Sequence, residues 1–161
     1  MISENKLRTP NPLISADEVE VRALYLRLLD SWNERNSNEF ASQFSDEGTF
    51  IGFDGTQVNG STEIEAHLLK IFSDHVPGHY VGKVRHVQLL SPSVALLNGI
   101  AGMVPAGRLD IEPKLNAVHT LVSLNRNGKE WRIVLFQNTP AQFHGLPEQV
   151  KKMTDELQEL L

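Results

Sequence analysis

The sequence predicts an α+β domain in which a curved antiparallel sheet forms a cone and helices pack in its concavity. Two observations support this. Three helical segments precede residue 77, and four long strand-like segments follow it, over residues 80–90, 94–104, 115–124 and 131–138. Their short connections favour an antiparallel meander. A twisted sheet of this length must curl, so helices in its hollow leave a cone-shaped pocket.

The helical segments have recognisable starts. Ser15 and Glu18 have the spacing of a capping box, and Asn36 is followed three residues later by Glu39. After the capping box, one apolar stripe with a 3.6-residue period runs through Val21, Leu24, Tyr25, Leu28, Leu29 and Trp32. A hairpin follows, with a strand over residues 49–53, the turn signal Asp54-Gly55 and a return over residues 56–58. A third helix precedes Pro77-Gly78.

Length and composition fit one domain without a disulfide framework. The chain has 161 residues and no cysteine, which excludes a thiol nucleophile and a cysteine-based zinc site. Residues 1–14 contain Pro10 and Pro12 and predict a flexible N-terminal arm. A single domain is expected over residues 15–161, and it ends in a helix from about Pro147.

Charge and hydropathy argue against several partners. The formal net charge of -5 opposes binding to nucleic acid or to an anionic membrane through bulk charge. The chain shows no secretory signal and no apolar run near the roughly 20 residues that cross a bilayer, so we expect a cytoplasmic protein. No cofactor is predicted. No metal site is predicted either, because Pro77-Gly78 separates His75 from His79 and prevents a helical ligand pair.

Several motifs resemble one protein family. Residues 29–33 (LDSWN), 52–55 (GFDG) and 80–85 (YVGKVR) resemble the SnoaL-like, DUF4440 branch of the nuclear transport factor 2-like superfamily. Residues 131–140 (WRIVLFQNTP) and 143–145 (FHG) are most similar to its SgcJ/EcaC-like subgroup. The likeness extends over about residues 17–150. It implies the cone-shaped, cystatin-like fold and a homodimer formed through the sheet.

The resemblance implies a pocket but leaves the reaction open. The superfamily contains ketosteroid isomerases, polyketide cyclases and dehydratases beside members that only bind ligands or mediate association. In dehydratase-like relatives the catalytic base is often an Asp near the end of the first helix, where this sequence has Asn33. We expect binding of a small, apolar, oxygenated ligand, such as a polyketide-like or cyclic compound. Cofactor-free proton transfer, cyclisation or dehydration is the associated enzymatic hypothesis, and a non-catalytic association or ligand-sequestering dimer is the alternative.

Three residues are candidates for acid–base catalysis, which needs a carboxylate or imidazole with a perturbed pKa in a water-poor pocket. Asp54 ends the first strand, His67 lies on the apolar side of the third helix, and His119 interrupts an apolar strand. Each also has a structural interpretation. Asp54 starts an Asp-Gly turn, and buried histidines are commonly core residues with hydrogen-bond partners.

The candidate ligand-binding residues are two cations, an amide and two aromatics. Lys83 and Arg85 share one strand face, which either lines the pocket as an anion site or faces solvent or a dimer partner. Gln137 is the candidate inward amide of the Gln137-Asn138 pair, since alternation turns one of the two inward. We expect Tyr25 and Trp32 to form aromatic walls, with core packing as the alternative.

Overall fold

The computed structural model describes residues 15–128 and 130–161, so the predicted arm over residues 1–14 lies outside the described residues. The helices are α1 (Ala16–Asn33), α2 (Ser37–Ser42), α3 (Ser61–Asp74) and α4 (Pro147–Gln158). The strands are β1 (Phe44–Ile51), β2 (Gln57–Asn59), β3 (His79–Ser91), β4 (Val94–Val104), β5 (Ala117–Asn125) and β6 (Trp131–Pro140). None of the described helices is long and apolar enough to span a membrane.

All six strands belong to one sheet in the order β2-β1-β6-β5-β4-β3. The predicted antiparallel run is confirmed for β3 to β6, but β1 also joins the sheet and pairs with β6 in parallel. β1 begins at Phe44, earlier than predicted. The rings of Phe50 and Phe136 stack across the parallel pair with centroids 5.9 Å apart. This pairing brings the hairpin into the wall of the cone.

The first three helices cover the concave face of the sheet. The predicted capping box is present at the start of α1, where the Glu18 N–H donates to Ser15 Oγ at 3.1 Å. Along α1, Tyr25 is fully buried and approaches the sheet at Gly82 and Gly99. A Cβ on Gly82 would lie 2.9 Å from Tyr25 Oη, so only glycine permits this close approach.

The terminal helix packs on the opposite, convex face. Met153 and Leu157 of α4 are buried against Ile100 and its neighbours. Adjacent strand residues point to opposite faces, and Gly99, next to Ile100, faces Tyr25 on the concave side. The predicted fold class is therefore confirmed, and among the helices of residues 15–128 and 130–161 α4 lies outside the concavity.

Candidate functional site

A cavity of about 670 Å³ opens between the concave face, α1, α3 and the hairpin turn. Its volume lies within the range of roughly 300–1,000 Å³ that is typical of small-molecule sites. The lining is mostly apolar and aromatic, with a few polar groups. It consists of Trp32, Phe50, Gly52, Phe53, Asp54, His67, Ile71, His75, Tyr80, Met103, Leu115 and Asn138.

One wall of the cavity is an aromatic cluster centred on Trp32. The indole ring lies 5.3 Å, between centroids, from both Phe72 and Tyr80, in edge-on and tilted arrangements. Its Nε1–H donates to the Gly78 carbonyl at 3.1 Å, which fixes the ring plane. Trp32 therefore occupies the wall position that the sequence predicted.

Asn33 holds Tyr80 in place through the backbone. Its Nδ2 donates to the Tyr80 carbonyl at 3.0 Å, and its Oδ1 accepts from the Tyr80 N–H at 2.8 Å. The amide thus serves both backbone groups of one residue on β3, an edge strand of the sheet. A carboxylate could make only one of these bonds, because it has no proton to donate at neutral pH.

The polar floor of the cavity is formed by Tyr80 and Asn138. Asn138 is only 6% exposed, and its Nδ2 donates to Tyr80 Oη at 3.0 Å. Burial raises the pKa of the Tyr80 hydroxyl to about 12, so it keeps its proton at neutral pH. Gln137 is absent from the cavity lining, and its register partner Thr120 bonds Asn98 on the convex face. The expectation for Gln137 is corrected: Asn138 is the inward amide.

Behind this floor lie Tyr25 and His119, both fully buried. Tyr25 Oη is 2.9 Å from His119 Nδ1. The His119 ring also packs edge-on against Phe136 and Tyr80, with centroids 4.9 and 5.5 Å away. Tyr25 and His119 are therefore adjacent to the candidate site without lining the cavity, whereas the sequence predicted a wall and a catalytic residue.

Burial dominates the protonation of this inner pair. It lowers the pKa of His119 to about 3, and the neighbouring Asn138 amide opposes only part of that shift. Burial also raises the pKa of Tyr25. Within the described residues, His119 Nε2 and Asn138 Oδ1 have no hydrogen-bond partner. These two residues face each other in register on β5 and β6.

The rim of the cavity carries Asp54 and His67. Asp54 Oδ1 accepts the Thr56 N–H at 2.9 Å, and this bond holds the pKa of the exposed carboxyl below its usual value. A weaker electrostatic effect of His67 acts on that pKa in the same direction. The half-buried His67 ring packs 5.9 Å from Phe50. Asp54 is thus both a turn residue and a cavity residue.

Lys83 and Arg85 lie on the other side of the sheet. Both bind Glu156 of α4, with Lys83 Nζ 2.9 Å from Oε2 and Arg85 Nη2 2.8 Å from Oε1. The Arg85 hydrogen bond, followed by that of Lys83, lowers the pKa of the Glu156 carboxyl. The expectation that these cations line the pocket is corrected, because residues at odd positions here face α4 while Gly82 faces α1.

Sequence reasoning missed Tyr80 and His75 as cavity residues, and it chose Gln137 over the neighbouring Asn138. His75 directly follows the last residue of α3, and Tyr80 and Asn138 come from strands far apart in the chain. One signal for Tyr80 was available in the sequence. By strand alternation it shares a face with Gly82, and this face is opposite to that of Lys83. Among the described residues, no group of three or more His, Cys, Asp or Glu side chains is arranged to hold a metal ion.

Comparison with known proteins identifies the fold. No family model and no curated protein matches the chain. A solved domain of unknown function with a cystatin-like fold from Nostoc punctiforme PCC 73102 is 25% identical, with a TM-score of 0.74 over 90% of this chain and 98% of that one. An NTF-2-like protein of unknown function from Shewanella oneidensis MR-1 is 18% identical, with a TM-score of 0.61 over 74% of this chain and 96% of that one.

A third similar structure has a name that refers to an enzyme. The ketosteroid isomerase-like protein from Erwinia carotovora atroseptica SCRI1043 is 12% identical, with a TM-score of 0.61 over 78% of this chain and 97% of that one. At this identity the likeness concerns the fold. The chain therefore has the NTF2-like, cystatin-like fold, with an aromatic-lined cavity in its cone.

Proposed function

We propose that this chain binds a small, apolar, oxygenated molecule in the cone. The observation that carries the proposal is a cavity of about 670 Å³ whose aromatic wall ends in the hydroxyl of the half-buried Tyr80 and the amide of the buried Asn138. Apolar walls provide the driving force for binding, and a few placed polar groups orient the ligand. The SnoaL-like assignment belongs to this proposal, since it rests on the sequence motifs.

Blocking the cavity tests the proposal. We expect 2-acetylnaphthalene to bind in equilibrium dialysis, and the Leu115→Trp variant, which fills part of the cavity, to lose most of that affinity. Leu115 ends a short 3-10 turn over Pro113–Leu115. Leu109→Trp is the matched control, because Leu109 lies in the loop before this turn and is 87% exposed. Equal binding by both variants would place the ligand elsewhere and contradict the proposal.

A second candidate function, proton transfer at the rim, is favoured by the position of His67 and Asp54 in the same cavity lining. An imidazole at the mouth of a largely apolar cavity can act as a general base. The base would take a proton from the carbon next to a ligand carbonyl and return a solvent proton. Deuterium exchange into the methyl group of 2-acetylnaphthalene should accelerate with protein and fall to background with His67→Gln. Exchange that is unchanged in His67→Gln would exclude this role.

The homodimer that the resemblance implies is proposed to form through the convex face. Leu96, Val122 and Leu135 are partners across β4, β5 and β6 and form an apolar row beyond the region that α4 covers. Light scattering should give a dimer that Val122→Lys dissociates. Ala66→Lys, at an exposed position on α3 on the other side of the sheet, is the control. A wild-type monomer at micromolar concentration would contradict the proposal.

A further inference from the structure

Four side chains beneath and at the cavity floor form a polar chain with a definable direction. Its inner end is Tyr25, whose hydroxyl makes a single hydrogen bond among the described residues, to His119 Nδ1 at 2.9 Å. A buried hydroxyl proton without an acceptor costs free energy, so the proton lies on this bond and Tyr25 donates. His119 Nδ1 is then the acceptor. The neutral ring must carry its own proton on Nε2.

The next link in this row of polar side chains runs from His119 to Asn138. His119 and Asn138 are register partners, and Nε2 and Oδ1 are their two atoms without a hydrogen bond in the described structure. Burial lowers the pKa of His119, and the Asn138 side chain raises it. This is the effect of an amide oxygen that faces a protonated ring nitrogen. The amide nitrogen points the other way, to Tyr80 Oη at 3.0 Å.

The outer end of the chain is the Tyr80 hydroxyl. Its oxygen already accepts from Asn138, and no other described group accepts its proton. Tyr80 lines the cavity, so a ligand is the available acceptor for that proton. No lysine or arginine among the described residues lines the cavity, since Lys83 and Arg85 bind Glu156 on the convex face.

We infer that the cavity selects ligands that present an uncharged carbonyl oxygen to the Tyr80 hydroxyl. The inference rests on the proposed function and specifies its ligand class. A carbonyl oxygen accepts a hydrogen bond from the Tyr80 hydroxyl. It carries no hydrogen-bond donor that would itself need a buried partner. A ligand hydroxyl would have to find a second acceptor, and a carboxylate at the Tyr80 floor would lose water without gaining a lysine or arginine partner there, which is costly.

Three naphthalenes of similar shape test the inference on the wild-type protein. 2-Acetylnaphthalene carries the carbonyl, 2-isopropenylnaphthalene replaces its oxygen with a methylene group, and 2-naphthoate carries a charge. We expect the ketone to bind roughly three- to tenfold more tightly than the alkene, the range of one neutral hydrogen bond. The carboxylate should bind most weakly. In Tyr80→Phe the preference for the ketone over the alkene should disappear.

The outcomes separate this inference from the proposed function. If neither the ketone nor the alkene binds, the proposed function fails. If both bind the wild type equally, or if the carboxylate binds as tightly as the ketone, binding stands and the carbonyl inference is overturned. These comparisons use the wild-type protein alone. They can therefore overturn the inference even if the Tyr80→Phe protein does not fold.

The donor–acceptor direction of the Tyr25–His119 hydrogen bond can be measured separately. Long-range nitrogen–proton correlation spectra distinguish a protonated from an unprotonated imidazole nitrogen. We expect the His119 ring to carry its proton on Nε2 in the wild type. A proton on Nδ1 would reverse the direction of the Tyr25–His119 bond and overturn the inference.

Discussion

The hydroxyl of Tyr25 lies 2.9 Å from Nδ1 of His119, and this bond joins α1 to β5 through the core of the cone. Both residues are fully buried. The core of this protein therefore contains a polar tie between a helix and the sheet, next to the cavity floor. Its loss would leave a buried imidazole nitrogen without a partner.

Tyr25→Phe should lower the free energy of unfolding by about 1–3 kcal/mol, the cost of an unsatisfied buried polar group. Urea denaturation of wild type and variant measures the difference. Arg27→Ala, at an exposed position on the same helix, should change stability by no more than about 0.5 kcal/mol. If Tyr25→Phe is as stable as the wild type, the hydrogen bond contributes nothing and the tie is incidental.

Stability should fall as the pH decreases from about 6.5 toward 3, because of His119. Its pKa is 6.5 in the unfolded chain and about 3 in the folded one, so the unfolded state binds more protons between these values. The free energy of unfolding therefore rises with pH there, by up to about 1.4 kcal/mol per pH unit.

Denaturation between pH 7 and pH 5 checks this slope, since carboxyl groups with ordinary pKa values titrate mostly below that window. His119→Gln, which cannot titrate, should show a flatter profile. A wild-type His119 ring whose proton resonances titrate near pH 6.5 would contradict the prediction directly, whether or not the variant folds.

Asn33→Asp should destabilise the protein by about 1–3 kcal/mol. The carboxylate would still accept the Tyr80 N–H but would face the Tyr80 carbonyl without a proton to donate. Because Tyr80 forms the floor, affinity for 2-acetylnaphthalene should fall as well. Asn38→Asp, exposed near the start of α2, is the matched control and should be neutral or slightly stabilising. Equal stability of the two variants would show that the Asn33 bonds are not required.

Glu156→Gln should lower stability by no more than about 1 kcal/mol, because Lys83 and Arg85 are each 46% exposed and water screens the pairs. Lys83→Ala and Arg85→Ala should leave the affinity for 2-acetylnaphthalene unchanged, since neither side chain lines the cavity. Equilibrium dialysis and urea denaturation test the two expectations separately. A tenfold loss of affinity in either cation variant would return these residues to the site.

The fold was predictable because its signals are local. The 3.6-residue stripe and capping box identify α1, and the long strands lie between strong turn signals. The parallel pairing of β1 with β6 was not predictable in this way, since it joins Phe50 to Phe136 without any local pattern that connects them. Pairing between distant segments depends on tertiary packing.

The candidate site was predictable only in part, for a similar reason. His67 and Trp32 reach the cavity from helices whose apolar sides the sequence identifies, and Asp54 reaches it from the turn that the Asp-Gly pair marks. For Lys83 and Arg85, alternation shows that the two share a face but gives no information about which face is inward. Tyr80 and Asn138 depend on a contact between strands 58 positions apart, which no spacing rule reveals.

The parallel pairing also constrains when the site can form during synthesis. β1 leaves the ribosome early, but its partner β6 is the last strand of the sheet, so β1 has only β2 beside it until then. A two-stranded hairpin is marginal in water. We expect the early segment to retain exposed apolar side chains and to resist proteolysis only after β6 has emerged, which arrested nascent chains of increasing length would show. Truncation before residue 131 should therefore abolish the cavity even though most of its lining residues would be present.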